Sequence, residues 1–246
     1  MTDAYRFDES STEQAIAYAK IYAGENYSPA METVLKVAFS EKRNLPTFRL
    51  KSSDTILLSG YMKKWVGAYL AGYNNRPSVR TGNCSGTHPD PMAKTILRAR
   101  ISGLEDNLAD KIVARHSLLM TIENNIGELL EEYLSVKLSP LGWYCCWGST
   151  IDAVDFCKAD GSLLQIKTSD NSENSSSSRV RQGTPIGKWF RRFSRRPGVY
   201  NWESLNRKLG RPGYVAESDF RAFAEKTIAA NPACIYIAAN HLLNRP

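Results

Sequence analysis

Hydrophobic positions in the first half of the chain recur at helical spacing. Helices are therefore predicted over Glu13–Ala23, Ala30–Phe39, Leu57–Leu70, Met92–Arg100 and, as the longest, from about Leu108 to Leu138. No segment repeats at a fixed period. We expect residues 1–105 to form a mainly helical N-terminal region.

The pattern changes to that of strands from Gly142 onward. The run WYCCW predicts a short strand, and two β-rich runs beyond it flank Ala159–Gly161, a compact turn signal that predicts a hairpin. A helix is predicted over Asp219–Ala230, and the apolar run CIYIAA after it predicts a buried strand. Residues 106–246 are thus expected to form an α/β core.

Composition excludes several classes of protein. The chain has 246 residues, 42% of them hydrophobic and 23% charged, which is typical of a globular protein. No apolar run approaches the roughly 20 residues that cross a bilayer, and the N-terminus does not resemble a signal peptide. Five cysteines without a CxxC spacing favour reduced thiols, and no glycine-rich phosphate-binding motif is present. We expect a cytoplasmic protein with no membrane segment and no nucleotide cofactor.

The basic residues are concentrated in one segment. Residues 179–211 hold ten lysines and arginines and a single acid, so this segment carries the whole basic excess of a chain whose net charge is +7. Aromatic residues such as Trp189 and Phe190 lie between them. A concentrated positive field of this kind favours a polyanion, most simply nucleic acid, although a solvated basic face is the alternative.

The predicted hairpin brings together chemically useful side chains. Gln165 and Lys167 are two residues apart on a strand and share one face, while Leu164 and Ile166 point to the other. If Ala159–Gly161 form the turn, Asp155 lies across from Gln165. A four-residue turn would instead bring Asp152 opposite Lys167, and the sequence leaves both registers open.

This grouping suits Mg²⁺-assisted phosphodiester cleavage. Mg²⁺ prefers oxygen ligands, and the candidates are Asp155, Gln165 and the main-chain carbonyl near Ile166. Lys167 would position or deprotonate the attacking water. In the long helix, Glu131 falls at the border of the apolar stripe, where it is either a solvated carboxylate or close to the metal.

The order of these motifs resembles the PD-(D/E)xK nuclease superfamily. The resemblance comprises a helix with Gly127-x-x-x-Glu131, then Gly-Trp, a strand, Asp155, a hairpin and a hydrophobic residue followed by Gln165-x-Lys167. Residues 142–192 are similar, more narrowly, to type II restriction endonucleases of the SinI/AvaII kind.

This resemblance implies a mixed central sheet flanked by helices, in a homodimeric, Mg²⁺-dependent enzyme that cuts double-stranded DNA at G-G-(A/T)-C-C. The metal-binding aspartate of the family would be Asp155, its acidic or amide position Gln165 and its lysine Lys167. Gln165 removes a negative charge from the usual pattern. Whether a second carboxylate comes from Glu131, Asp152 or Glu173 stays open.

The segment after the catalytic strand supplies candidate DNA contacts. Its polar start, Ser169–Ser178, is either a disordered linker or a DNA-facing loop, and its Asn and Ser side chains suit phosphates, sugars and adenine. Arg179 and Arg181 are candidates for guanine, and the remaining cations for phosphates. The full set of proposed contacts is Asn171, Asn174, Ser176, Ser178, Arg179, Arg181, Lys188, Arg191 and Arg192, with Arg195 and Arg196 as further phosphate contacts. The alternatives to restriction are a non-catalytic DNA-binding protein and a repair or modified-DNA nuclease of the same fold.

Overall fold

A computed structural model describes residues 7, 9–48, 57–82, 89–170 and 186–237. Seven α-helices lie within these ranges: α1 (Thr12–Ala23), α2 (Pro29–Ser40), α3 (Leu58–Asn74), α4 (Pro91–Arg100), α5 (Asp106–Leu138), α6 (Trp202–Leu209) and α7 (Glu217–Ala230). Four strands form one sheet: β1 (Trp143–Cys145), β2 (Phe156–Lys158), β3 (Leu163–Ser169) and β4 (Ile186–Arg192). None of these helices combines the length and apolarity needed to span a bilayer.

The sheet is mixed, and its spatial order follows the chain. β1 pairs antiparallel with β2, β2 pairs antiparallel with β3, and β4 runs parallel to β3. The described chain is therefore mixed α/β, as expected from the change of pattern near Gly142. β4 brings the start of the basic segment alongside the strand that carries Lys167.

The predicted helices in the first half of the chain are all present, with ends shifted by a few residues. Two of them, α2 and α4, begin with a proline that directly follows a capping residue. Ser28 accepts a hydrogen bond from the N–H of Met31 (3.2 Å), and Asp90 accepts one from the N–H of Met92 (2.8 Å). A side chain that accepts from a free N–H of the first turn stabilises a helix start.

One cluster of buried side chains joins the N-terminal helices to the sheet. It includes Leu35 of α2, Trp65 of α3, Leu134 of α5 and Phe156 of β2. The core therefore continues across residue 105, and the division of the chain at that point stays a prediction.

The predicted buried strand near the C-terminus is wrong for the part that the structure describes. Pro232–Cys234 form a single 3₁₀ turn and the chain then continues without regular structure, with Tyr236 and Ile237 exposed. Only Cys234 is buried. The turn takes up the first residue of the run, Cys234, and residues 235–237 after it do not pair as a strand would. Residues 238–239 of the run lie outside the described ranges.

Candidate active site

The hairpin adopts the register in which Asp155 lies opposite Gln165. Phe156 pairs with Leu164 and Cys157 with Leu163, so the next position outward matches Asp155 with Gln165. The register that would place Asp152 opposite Lys167 is not formed. Asp152 is instead exposed, and its N–H donates to the main-chain oxygen of Asn44 (2.9 Å).

Three main-chain contacts fix Asp155 at the start of β2. Its N–H donates to the carbonyl of Leu164 (3.0 Å), and its own carbonyl accepts from the N–H of Cys146 (2.8 Å). Its carboxylate oxygen Oδ2 accepts from the N–H of Ile166 (2.7 Å), where the β2 ladder has ended. A carboxylate has about four lone-pair sites, so this bond leaves Asp155 able to accept a ligand as well.

β3 separates its side chains as the alternating pattern predicts. Leu164 and Ile166 are buried, while Gln165 and Lys167 are half-buried. The parallel register with β4 places Lys188 beside Gln165. Paired residues of neighbouring strands project to the same face, so Lys188 shares the face of Gln165 and Lys167.

The α5 helix lies close to β3 at Gly127. A Cβ atom at Gly127 would lie 3.7 Å from Cγ2 of Thr168, which is van der Waals contact. Glu131 follows one turn later on the same helix. The motif Gly127-x-x-x-Glu131 thus places a carboxylate above the strand that bears Lys167.

Electrostatics link the acids of this site. Burial raises the pKa of Asp155 to about 6, while the hydrogen bond from Ile166 and the charge of Lys167 act in the opposite direction. Burial also raises the pKa of Glu131 to about 8, and the negative charges of Asp155 and Glu128 add to this effect. Because Asp155 is the stronger acid, it ionises first and then opposes ionisation of Glu131. A pair of buried acids that repel each other is stabilised by a cation.

Lys167 belongs to the same electrostatic group. Burial lowers the pKa of its ammonium, the neighbouring charge of Lys188 lowers it further, and Asp155 opposes both. An amine of this kind gives up its proton more readily than an exposed lysine.

The donor set fits a hard cation with few protein ligands. Two carboxylates, Asp155 and Glu131, and the amide of Gln165 are oxygen donors, which Mg²⁺ prefers, and this ion keeps several waters. Within the described ranges, no group of three or more His, Cys, Asp and Glu side chains is arranged to hold a metal ion.

The loop before Asp155 is held by the N-terminal helices. A Cβ at Gly148 would lie 2.0 Å from the main-chain oxygen of Ala68, so only glycine permits α3 to approach this closely. Trp65 donates its indole N–H to the carbonyl of Thr150 (2.9 Å). Ala153, two residues before Asp155, has a φ of 59°, which is unusual for a residue other than glycine.

Apart from Arg191, the predicted DNA contacts fall into two groups. Lys188 and Arg192 are exposed on one face of β4, and Arg195 and Arg196 are exposed after it. The other group, Asn171, Asn174, Ser176, Ser178, Arg179 and Arg181, lies outside the described residues, as does Glu173.

The location of Arg191 argues against its predicted contact with phosphate. Its side chain is 9% exposed, and Nη1 contacts both carboxylate oxygens of Glu217 at 2.7 and 2.9 Å. On β4 it projects to the same side as Trp189, which is in the core. The prediction assigned the same role to all clustered arginines. In a strand, however, alternate side chains point to opposite faces, so one of two adjacent arginines points toward the core. Arg191 is left out of the DNA surface proposed below.

Sequence reasoning did not find two features of this site. The first is the alignment of Lys188 with Gln165, which was missed because the charged residues around Lys188 conceal the strand pattern. Arg80 contacts Glu128, 48 positions later in the chain, and no local pattern relates residues so far apart.

Comparison with known proteins identifies the family of this chain. The family model described as SinI restriction endonuclease matches residues 57–230, which include α3, the hairpin, Glu131 and β4. The chain belongs to this family. It is 44% identical over 144 residues to the type II restriction enzyme SinI of Salmonella infantis and 41% identical over 144 residues to the type II restriction enzyme Eco47I of Escherichia coli.

Family membership confirms the resemblance to type II restriction endonucleases of the SinI kind. Each alignment covers 56% of this chain and 61% of the relative, so the chain matches about three fifths of the length of these relatives.

Proposed function

We propose that this chain is a type II restriction endonuclease, a hydrolase that cuts double-stranded DNA at a specific site with the help of Mg²⁺. The observation that carries the proposal is the grouping of Asp155, Gln165, Lys167 and Glu131 at one hairpin and one helix, in a member of the SinI family. The arrangement of hairpin, helix and sheet is the one expected of a PD-(D/E)xK nuclease, and we propose that fold assignment as well.

The metal ligands in this proposal are Asp155, Gln165 and the main-chain carbonyl of Ile166. Glu131 is the second carboxylate, because Asp152 is exposed and out of register with Lys167, whereas Glu131 is electrostatically coupled to Asp155. When bound, Mg²⁺ acidifies water and neutralises charge on a phosphate. The hydrogen bond from Ile166 orients the Asp155 carboxylate for this task.

Lys167 acts on the water and the phosphate. As an ammonium it donates hydrogen bonds that orient the attacking water and stabilise charge that develops on the phosphoryl oxygens. Its lowered pKa gives it a larger fraction of neutral amine than an exposed lysine has, so it can also take the proton of that water. The oxygen of the attacking water then bonds to phosphorus while the bond from phosphorus to the leaving oxygen breaks, and the leaving oxygen takes up a proton from solvent.

The proposed DNA surface is the outer face of β4 with the turn that follows it. Lys188, Arg192, Arg195 and Arg196 are exposed there, and Lys188 lies next to Gln165 in the register. Clustered cations supply affinity and position on the backbone, whereas bases are read by other groups. The residues proposed for that purpose, Arg179 and Arg181, precede β4 directly in the chain.

The resemblance supplies the target, G-G-(A/T)-C-C, and a homodimer whose two-fold axis matches a near-palindromic site. The cysteine pattern favours a cytoplasmic location, and the lack of a glycine-rich phosphate-binding motif favours chemistry without a nucleotide cofactor.

Run-off sequencing of a cut plasmid tests the proposal. Plasmid DNA is incubated with the protein and Mg²⁺, and the ends are sequenced. We expect cuts at one short sequence, with none in EDTA. Shifted bands without nicking in Mg²⁺ or Mn²⁺ would show a non-catalytic DNA-binding protein, and cutting confined to methylated or damaged DNA would show a nuclease with another task.

A further inference from the structure

The segment of residues 75–82 joins the end of α3 to the side of α5. Two of its residues contact α5 on either side of Glu131. The N–H of Ser78 donates to Oε2 of Glu132 (3.1 Å), and the Ser78 hydroxyl donates to Oε1 of the same carboxylate. Arg80 contacts the carboxylate of Glu128 and donates to Oδ1 of Asn125 (2.6 Å). We call residues 75–82 the strap.

The strap is also fixed on its opposite side. The amide of Asn231 donates to the carbonyls of Pro77 (2.9 Å) and Arg80 (2.8 Å), and the N–H of Gly82 donates to the carbonyl of Ala233 (2.7 Å). These bonds connect the strap to the turn after α7. The guanidinium of Arg80 is therefore held against α5 by a main chain that is itself hydrogen-bonded.

The contact of Arg80 with Glu128 determines the charge beside the active site. The side chain of Arg80 is only 12% exposed, while that of Glu128 is 41% exposed. Glu128 precedes Glu131 by one turn of α5, and residues three apart on a helix are neighbours. An uncompensated carboxylate at this position would offer a cation a third negative group, displaced along the helix from Asp155.

We infer that Arg80 is a positioning residue of the active site: it neutralises Glu128 and holds its carboxylate away, so that the proposed ligands, with the carboxylates of Asp155 and Glu131, define where the cation binds. The inference rests on the proposed function, since it concerns the metal of that site. Its distinctive consequence is that cation affinity and cleavage rate respond in opposite directions when Arg80 is lost.

The test uses Arg80→Gln in the full chain, with Mg²⁺ binding measured by calorimetric titration and cleavage measured in single turnover at saturating Mg²⁺. We expect Mg²⁺ to bind at least about threefold more tightly, because one positive charge is lost and one carboxylate is released. The cleavage rate should fall about tenfold or more, because the cation then binds away from its productive position.

The double variant Arg80→Gln/Glu128→Gln distinguishes neutralisation of the Glu128 charge from a contribution of Arg80 to the stability of the fold. It should return Mg²⁺ affinity to within about twofold of the parent and restore most of the rate. Arg76→Gln is the matched control, since Arg76 is also in the strap but lies over the ring of Tyr73 at 3.5 Å. It should leave both quantities unchanged.

Two outcomes would overturn the inference. One is a joint fall of affinity and rate in Arg80→Gln without recovery in the double variant, which would show that Arg80 only supports the fold. The other is a parent chain that does not bind Mg²⁺. A parent that binds Mg²⁺ but cuts no DNA would contradict the proposed function alone, and the titrations would still decide the role of Arg80.

Discussion

The N–H of Ile166 donates a hydrogen bond of 2.7 Å to Oδ2 of Asp155. The bond forms where the β2 ladder ends, so a side-chain oxygen replaces the main-chain acceptor that a longer strand would have provided. This bond holds the Asp155 carboxylate against the main chain of β3, the strand that carries Lys167. The placement of the carboxylate relative to Lys167 therefore follows the main chain of β3.

The register predicts different roles for the two aspartates before β2. Asp155→Asn keeps an oxygen for the bond from Ile166 but loses the charge, so cleavage should fall about 100-fold or more with the fold intact. Asp152→Asn is the matched control, since Asp152 is exposed and is not in register with the site. Plasmid nicking rates in Mg²⁺ measure both, and equal losses would contradict the assignment of Asp155 as the ligand.

Lys167 should be required for cleavage and dispensable for binding. Lys167→Ala removes the group that acts on water and phosphate, so the single-turnover rate should fall on the order of 100- to 10,000-fold. DNA affinity in Ca²⁺ should stay within about threefold of the parent, because one cation among several is lost. Lys158→Ala is the control: Lys158 ends β2 and lies near the ring of Trp143 (5.5 Å), so it should cut normally.

The sequence predicted six of the seven described helices and the presence of the hairpin, because local patterns specify them, whereas α6 and the register of the hairpin were not predicted. The stripe of α5, the turn at Ala159–Gly161 and the alternation of β3 are all short-range signals. β4 was not predicted as a strand, because it pairs with a strand that precedes it by some 20 positions and its charges conceal the alternation. The burial of Arg191 depends on that pairing and on Glu217, neither of which a local pattern contains.

The raised pKa of Glu131 predicts how the stability of the metal-free protein depends on pH. In the folded chain the pKa is about 8, against an ordinary value of 4.5. Between these values the folded state retains a proton that the unfolded state has lost. Stability therefore falls as pH rises through this window, and the loss is complete above about pH 8.

Replacement of Glu131 should remove this dependence. Glu131→Gln should be more stable than the parent at pH 8 in EDTA, by an amount on the order of 1 kcal/mol or more, and equal to it near pH 4.5. Thermal or urea unfolding across this range measures the difference. Saturating Mg²⁺ should stabilise the parent more than the variant. Glu123→Gln is the control, because Glu123 is exposed on the same helix, and a matching gain there would contradict the explanation.

Two adjacent arginines of β4 should separate stability from DNA binding. Arg191→Ala removes the buried partner of the Glu217 carboxylate and leaves it the exposed Arg221, at 3.2 Å, as its cation, so unfolding in urea should show a loss of about 2 kcal/mol. Arg192→Ala removes an exposed cation on the proposed DNA face, so its stability should be unchanged while DNA affinity weakens and the salt dependence of binding declines by about one unit of slope. Both quantities are measurable on the same preparations, by urea titration and by fluorescence anisotropy at several salt concentrations. If Arg191→Ala were as stable as the parent but weakened DNA binding, the arginine would face the phosphate backbone after all, and the division of β4 into a core side and a DNA side would be wrong.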